Sequence, residues 1–232
     1  MENKNFLYEL KSIKSDFLLS NFNHYISKKH FLIILILFYF TFEQSKISLI
    51  IKGTGPHNFL NETINFNPTK AIINDVEILN PNKTYNFVEE LNNVTIIFNE
   101  PIYSCTSMFE RLSNIIEIDL SNLDSSKVIS MTSMFRQCSS LKKIIFGNIN
   151  TSSVTTMDYL FYFCKHLTSI DLSKFNTSSV ITMERMFSHC ESLSSLDVSS
   201  FNTKNVVSMF DIFAYCYNLT SNNVSSFDTS KV

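Results

Sequence analysis

Residues 157–182 read MDYLFYFCKHLTSIDLSKFNTSSVIT, and residues 183–208 read MERMFSHCESLSSLDVSSFNTKNVVS. Laid over each other, they share Met, Phe, Cys, Leu, Asp, the triplet Phe-Asn-Thr and Val at the same places. Working outward, Phe109, Phe135, Phe161, Phe187 and Phe213 follow one another in steps of 26 residues. Three places further on stand Leu112, Cys138, Cys164, Cys190 and Cys216, then Ile115, Leu141, Leu167, Leu193 and Leu219. Five copies run from Ser107 to Val232 without an insertion or deletion. A fixed period of this length means stacked units, each too small to bury its own apolar face.

Inside one unit the apolar spacing changes. Leu167, Ile170 and Leu172 alternate with Ser169, Asp171 and Ser173, the pattern of a strand with one face inward. Asn176-Thr177-Ser178 is a polar turn whose side chains can bond their own backbone. Val180, Met183, Phe187 and Cys190 follow at spacings of three and four, which predicts a short helix. The expected fold class is therefore α/β: a solenoid of five 26-residue strand–turn–short-helix units. Stacking turns the Phe and Cys positions into continuous core ladders.

The repeat resembles the BspA-like leucine-rich-repeat surface proteins, in the branch shared with mycoplasma lipoproteins and many protist surface proteins. Met134-Phe135…Cys138…Leu141, Leu167…Ile170-Asp171-Leu172-Ser173…Phe175-Asn176-Thr177-Ser178…Val180…Met183 and Met186-Phe187…Cys190…Leu193…Leu196-Asp197 carry it. The resemblance covers residues 107–232. It implies a leucine-rich-repeat-like solenoid, secreted or surface-exposed, serving adhesion and protein binding without catalytic residues. Leu112 for Cys, Ile145-Phe146-Gly147 for Asp-Leu-Ser and Asn222-Asn223 for Leu-Asp depart from the pattern.

Residues 1–45 read as a leader. Its apolar run, FLIILILFYFTF at 31–42, follows Lys28-Lys29-His30. At 12 residues the run is short for a spanning helix, which takes ~20. It fits the core of a secretory signal or an uncleaved anchor, and its other reading is a buried element of a soluble domain. Residues 46–104 lack the repeat. Lys46–Ile51, 71–73, 76–79 and 93–98 read as strands, Asn74-Asp75 as a hairpin turn and Gly53-Thr-Gly-Pro56 as a plain turn. A small β-rich cap for the first coil is expected there, with the solenoid over 105–232. Its C-terminal end reads as uncapped, open to end-to-end association.

A net charge of −2 gives no bulk attraction to nucleic acid. Cysteine pairs at metal-binding spacing are absent, so no metal, cofactor or catalytic residue is expected. The ladder cysteines read as inert core, with a bridge between neighbouring rungs as the alternative; Cys105, off the ladder, is the candidate unpaired thiol. His166 and His189 stand in variable slots beside ladder cysteines and read as exposed. Asp119, Asp171 and Asp197 form one outward column; Ser121, Ser173 and Ser199, with Ser169 and Ser195, complete a polar stripe. That stripe is the candidate face for a protein or glycan ligand, its alternative being a solvated sheet face.

Seven sequons occur, at Asn61, Asn82, Asn93, Asn150, Asn176, Asn218 and Asn223, as candidate glycosylation sites. Asn-Thr-Ser is itself part of the repeat turn, so their number decides nothing. The expected function is non-enzymatic recognition or adhesion at the surface, with the membrane contacted through an uncleaved N-terminal segment. The alternative is a cytosolic scaffold for an intracellular protein. An enzyme in 46–104 would need His57 brought to Glu89, Glu90 or Glu100.

Overall fold

A strand needs a hydrogen-bonding neighbour on at least one side, and that requirement shapes the N-terminal part of the fold. The computed structural model describes residues 44–222 and 224–232; the apolar run 31–42 and Asn223 lie outside the described residues. Among the described residues ten strands occur in chain order: β1 (Ser45–Lys52), β2 (Gly55–Asn58), β3 (Lys70–Ile73), β4 (Val76–Leu79), β5 (Thr84–Phe87), β6 (Leu91–Phe98), β7 (Ile115–Asn122), β8 (Lys143–Ile145), β9 (Ser195–Leu196) and β10 (Ser221–Asn222). Six make one sheet in the order β4-β3-β6-β1-β7-β8. Asn74 and Asp75 both take positive φ, 46° and 67°, and close the β3–β4 hairpin as their sequence suggests. β1 pairs antiparallel with both β6 and β7, so the non-repeating strands hydrogen-bond directly to the first coil. Residues 44–232 form one compact unit.

Beyond that sheet the chain winds in 26-residue coils. Parallel bridges link Ser104, Ser130, Thr156, Thr182 and Ser208 in succession. The Phe column stacks face to face: ring centroids from Phe109 to Phe135, Phe161, Phe187 and Phe213 lie 5.9, 5.6, 5.5 and 5.8 Å apart. Phe109 through Phe187 are fully buried, as are Cys138, Cys164 and Cys190; Phe213 and Cys216 are half-buried. Each large side chain so removed from water contributes roughly 1.5–3 kcal/mol before entropy.

The helices expected in each unit are not there. Among the described residues no helix forms, and the chain is β structure and turns, which overturns the α/β assignment. The reason lies in where the backbone N–H groups go. In an α-helix every N–H bonds the carbonyl four residues back. Here Met157, Tyr159, Phe161 and Phe163 donate instead to the next coil, at Thr182, Glu184, Met186 and Ser188, over 2.8–3.0 Å. The residues between them, Leu160, Tyr162 and Cys164, close turns to the carbonyl three residues back. Successive turns give spacings of three and four just as a helix does.

The turns require a left-handed backbone at two fixed phases. Ser107, Ser133, Tyr159, Arg185 and Asp211 share one; Arg111, Gln137, Phe163, His189 and Tyr215 share the other. Each costs about 1–2 kcal/mol in a residue other than glycine, offset here by bonds to the neighbouring coil.

The strand expected in every unit also fails. β7 has eight residues because β1 backs it; β8 has three, the third coil has none, and β9 and β10 have two each. The leucine-rich-repeat reading falls with these two elements.

Candidate functional site

Three polar ladders hold the coils together, and they must be set aside before any site is sought. Buried Thr151, Thr177 and Thr203 each bond both backbone groups of a residue one coil on. Thr177 Oγ1 donates to the Asn202 carbonyl (3.2 Å) and accepts from its N–H (2.8 Å). Thr151 does the same to Asn176, and Thr203 to Asp228. The Asn of the triplet accepts from the backbone N–H two residues on, as Asn176 does from Ser178 (3.0 Å). A second ladder runs through the thiols. Cys138, Cys164, Cys190 and Cys216 donate to the carbonyls of Phe109, Phe135, Phe161 and Phe187 at 3.0–3.2 Å. Leu112 stands in the first coil, which no Phe coil precedes, so a thiol there would lack that acceptor. The third joins hydroxyls and carboxylates across the parallel bridges, from Thr106–Ser130 (2.7 Å) through Thr132–Thr156 (2.8 Å) and Thr182–Asp158 (2.8 Å) to Ser208–Glu184 (2.7 Å).

All five cysteines are free thiols. Cys105 is unpaired, as expected, but fully buried, and it occupies the inward column of Met131, Met157 and Met183. Burial pushes its thiol up to about 12 and raises the ladder thiols likewise. Raised thiols at buried positions are unreactive.

His189 and Cys190 lie apart in chemistry. Cys190 is buried against Phe161, whereas the His189 ring is sandwiched between Phe163 (4.1 Å) and Tyr215 (4.2 Å). Burial lowers the His189 pKa first, with Lys165 and Arg185 adding to it and Glu191 opposing. His189 is thus half-buried rather than fully exposed, while His166 is exposed. Beside it, Tyr159 lies between the guanidinium groups of Arg136 (5.5 Å) and Arg185 (6.0 Å). These rings use their faces on one another. They brace the left-handed turns, which explains why bulky residues are tolerated there.

The outward stripe divides into two parts. Ser169, Asp171, Ser173, Ser195, Asp197 and Ser199 are exposed in coils with little or no strand. Asp171 and Asp197 accept from the N–H groups of Ser173 and Ser199 (both 2.9 Å), and those serines hold their carboxyls below the usual range. They are turn residues. Ser121 meets Gly147 of the next coil: a Cβ on Gly147 (φ 58°) would lie 2.6 Å from Ser121 Cα, which accounts for the glycine.

Asp119 stands in a groove of 330 Å³ on the outer face of the six-stranded sheet. Ser48 lies between Thr95 and Asp119 across three strands, and one row on Ile50 lies between Asn93 and Glu117. Ile145 closes one side. Register shifts in the β1–β7 pairing bracket Ser48–Ile50, and such irregularities bend a sheet. Asp119 Oδ1 accepts from Ser121 N–H (2.8 Å); Glu117 Oε2 is 3.7 Å from Lys143 Nζ, a solvent-exposed pair. The side chains of Ser48, Asn93 and Thr95 have no hydrogen-bond partner among the described residues. Sequence reasoning missed Ser48 and Thr95 and flagged Asn93 only as a sequon, because they come from strands far from the repeat in sequence. His57 bonds the Thr54 carbonyl (3.0 Å) and lines neither this groove nor the 510 Å³ one between the 62–69 and 80–84 loops. Among the described residues no cluster of His, Cys, Asp and Glu is placed to hold a metal ion.

The family model described as "Mycoplasma protein of unknown function, DUF285" matches residues 103–227, more than half of the sequence. The chain belongs to this family. No curated protein and no solved structure matches it. In this DUF285 chain the matched residues are the coils, so β1 and β6, which supply six of the ten residues lining the groove, lie outside the family's own segment.

Of the sequons, Asn82, Asn93, Asn150, Asn176 and Asn218 are exposed. Asn61 Nδ2 donates to the Glu110 carbonyl (3.0 Å) and Asn218 Nδ2 to that of Glu191 (2.7 Å), so both amides hold the fold.

Proposed function

We propose that this chain is a non-enzymatic recognition protein displayed at the cell surface, of the BspA-like kind. Membership of a Mycoplasma-associated family supports the surface reading. The observation that carries recognition is the groove on the six-stranded sheet, where polar side chains from three strands converge. In the coils the hydroxyls of Ser130, Thr132, Thr156, Thr151, Thr177 and Thr203 are bonded within the protein. On the sheet face the side chains of Ser48, Asn93 and Thr95 have no such partner. Polar groups that converge on a concave surface without internal partners are what a binding site presents. The repeats act as the rigid mount, since each coil is tied to the next through side chain and backbone.

Surface protease shaving of a C-terminal tag on intact cells tests the display, with an endoglycosidase shift alongside where the host glycosylates. The tag is expected to be cut. A tag protected until the cells are lysed would overturn surface display and favour an intracellular scaffold that binds a protein partner.

A further inference from the structure

We infer that the groove on the six-stranded sheet binds a neutral saccharide of one or two sugar units, held by Ser48, Asn93, Thr95, Glu117 and Asp119. The inference rests on the recognition reading and adds the ligand class and its site. Three observations lead to it.

The first is size. Strands lie about 4.8 Å apart and successive residues on one face about 7 Å apart. Two rows across β6, β1 and β7 therefore span roughly 10 Å by 7 Å. That matches a groove of 330 Å³, at the lower end for small-molecule sites and too small for a folded partner's surface.

The second is chemistry. A sugar hydroxyl both donates and accepts. Glu117 and the free Oδ2 of Asp119 accept; Asn93 donates and accepts; Ser48 and Thr95 do either. Among the described residues no cation lines the groove; Lys143 beside it faces Glu117, and Lys46 and Lys52 stand further along the outward face of β1, so a phosphate or carboxylate ligand within the groove would meet two carboxylates first. An ammonium ligand would gain from those carboxylates but would leave the hydroxyls and the amide unused.

The third is the arrangement. Ile50 lies at the centre of the second row, between Asn93 and Glu117, and Ile145 flanks Asp119. A pyranose presents a C–H face as well as a ring of hydroxyls. Ile50 gives that face an apolar floor while the polar groups reach the edge.

The test uses saturation-transfer NMR and calorimetry on the full-length protein. The probes are maltose, lactose and N,N′-diacetylchitobiose, with glucose 6-phosphate and glucosamine as the anionic and cationic counterparts. At least one neutral sugar is expected to bind. The pair Ser48→Ala with Thr95→Val should weaken it at least tenfold, and Ile145→Arg, which fills the groove, should abolish it. Asp197→Asn, in the equivalent column outside the groove, should leave binding unchanged. Thermal melts establish that each variant is folded; Asp119→Asn is a second variant, because its Oδ1 can still accept from Ser121. Failure of every neutral sugar to bind, binding of the phosphate or amine alone, or binding unaffected by a folded Ile145→Arg protein would each overturn the inference. Those failures would leave the tag-shaving result standing, so the general recognition reading and this ligand class fail separately.

Discussion

Consider Thr177→Val. Valine keeps the shape of threonine and loses the hydroxyl. Thr177 is 1% exposed, and its Oγ1 satisfies both the N–H (2.8 Å) and the carbonyl (3.2 Å) of Asn202 one coil away. Each bond contributes about 1 kcal/mol net, and a backbone group left orphaned in a poorly hydrated place costs about 1–3 kcal/mol. Asn202 is exposed as a residue, so water can recover part of that loss. The expected destabilisation is about 2–4 kcal/mol, a large share of a domain's usual margin. Thr177→Ser keeps the hydroxyl, deletes one methyl and should cost about 1 kcal/mol. Equilibrium urea unfolding followed by circular dichroism reads the valine loss as a midpoint shift from the parent of roughly 1–2 M for an m-value near 2 kcal/mol/M, against about 0.5 M for serine. Coils can open separately, so amide exchange at Asn202 should be measured as well, and it should speed up by about 30-fold for 2 kcal/mol. A valine variant as stable as the serine variant, with unchanged exchange at Asn202, would refute the claim that threonine joins the coils.

Other expectations follow from the same structure. Phe161→Asp puts a charge between two rings 5.6 and 5.5 Å away and should unfold the neighbouring coils; a melt unchanged from the parent would sink the stacking account. Gly147→Ala should destabilise by about 1 kcal/mol or more, since both the left-handed φ and the Ser121 backbone oppose a Cβ; an unchanged urea midpoint would contradict this. In the native protein at pH 8, half-buried Cys216 should react with a thiol reagent well before the other four, and all five should react in urea. Four fast thiols in the native state would be incompatible with these positions. The buried thiols also set an alkaline limit. Their folded pKa values lie above the unfolded value near 9, so stability is whole below pH 9 and falls as the unfolded chain ionises above it. Urea midpoints constant from pH 8 to 11 would count against this.

The period and the core columns were legible because identical side chains must meet when coils stack. The hairpin at Asn74-Asp75 was legible because the turn needs residues that tolerate positive φ. Helix and turn could not be told apart from Val180, Met183, Phe187 and Cys190, since both bury the same spacing. The deciding fact, that the Phe161 N–H bonds Met186 rather than a residue of its own coil, is not local. Cys105 is the unpaired thiol expected, but its place in the core was not recognised: it stands 26 residues before Met131, and a change of residue type hid the column. Asp119 was flagged as one of three equivalent aspartates. What sets it apart is β1, which pairs with its strand alone and brings Ser48 beside it. Such a juxtaposition depends on sheet order, and a repeat pattern carries no trace of it.

Each kind of bond between coils recurs at its own fixed separation along the chain, as in Thr177 to Asn202, Cys164 to Phe135 and Phe161 to Met186. A segment of 26 residues could be excised or duplicated anywhere within the array and each of these partnerships would re-form with the next coil in line. A change of another length breaks the register; a slip of two residues, for example, would put Tyr159 or Arg185 where an inward methionine belongs. The length of the array is thus quantised. One lineage could lengthen or shorten it in whole coils while the sheet face at its start, built partly from outside the repeat, stays as it is.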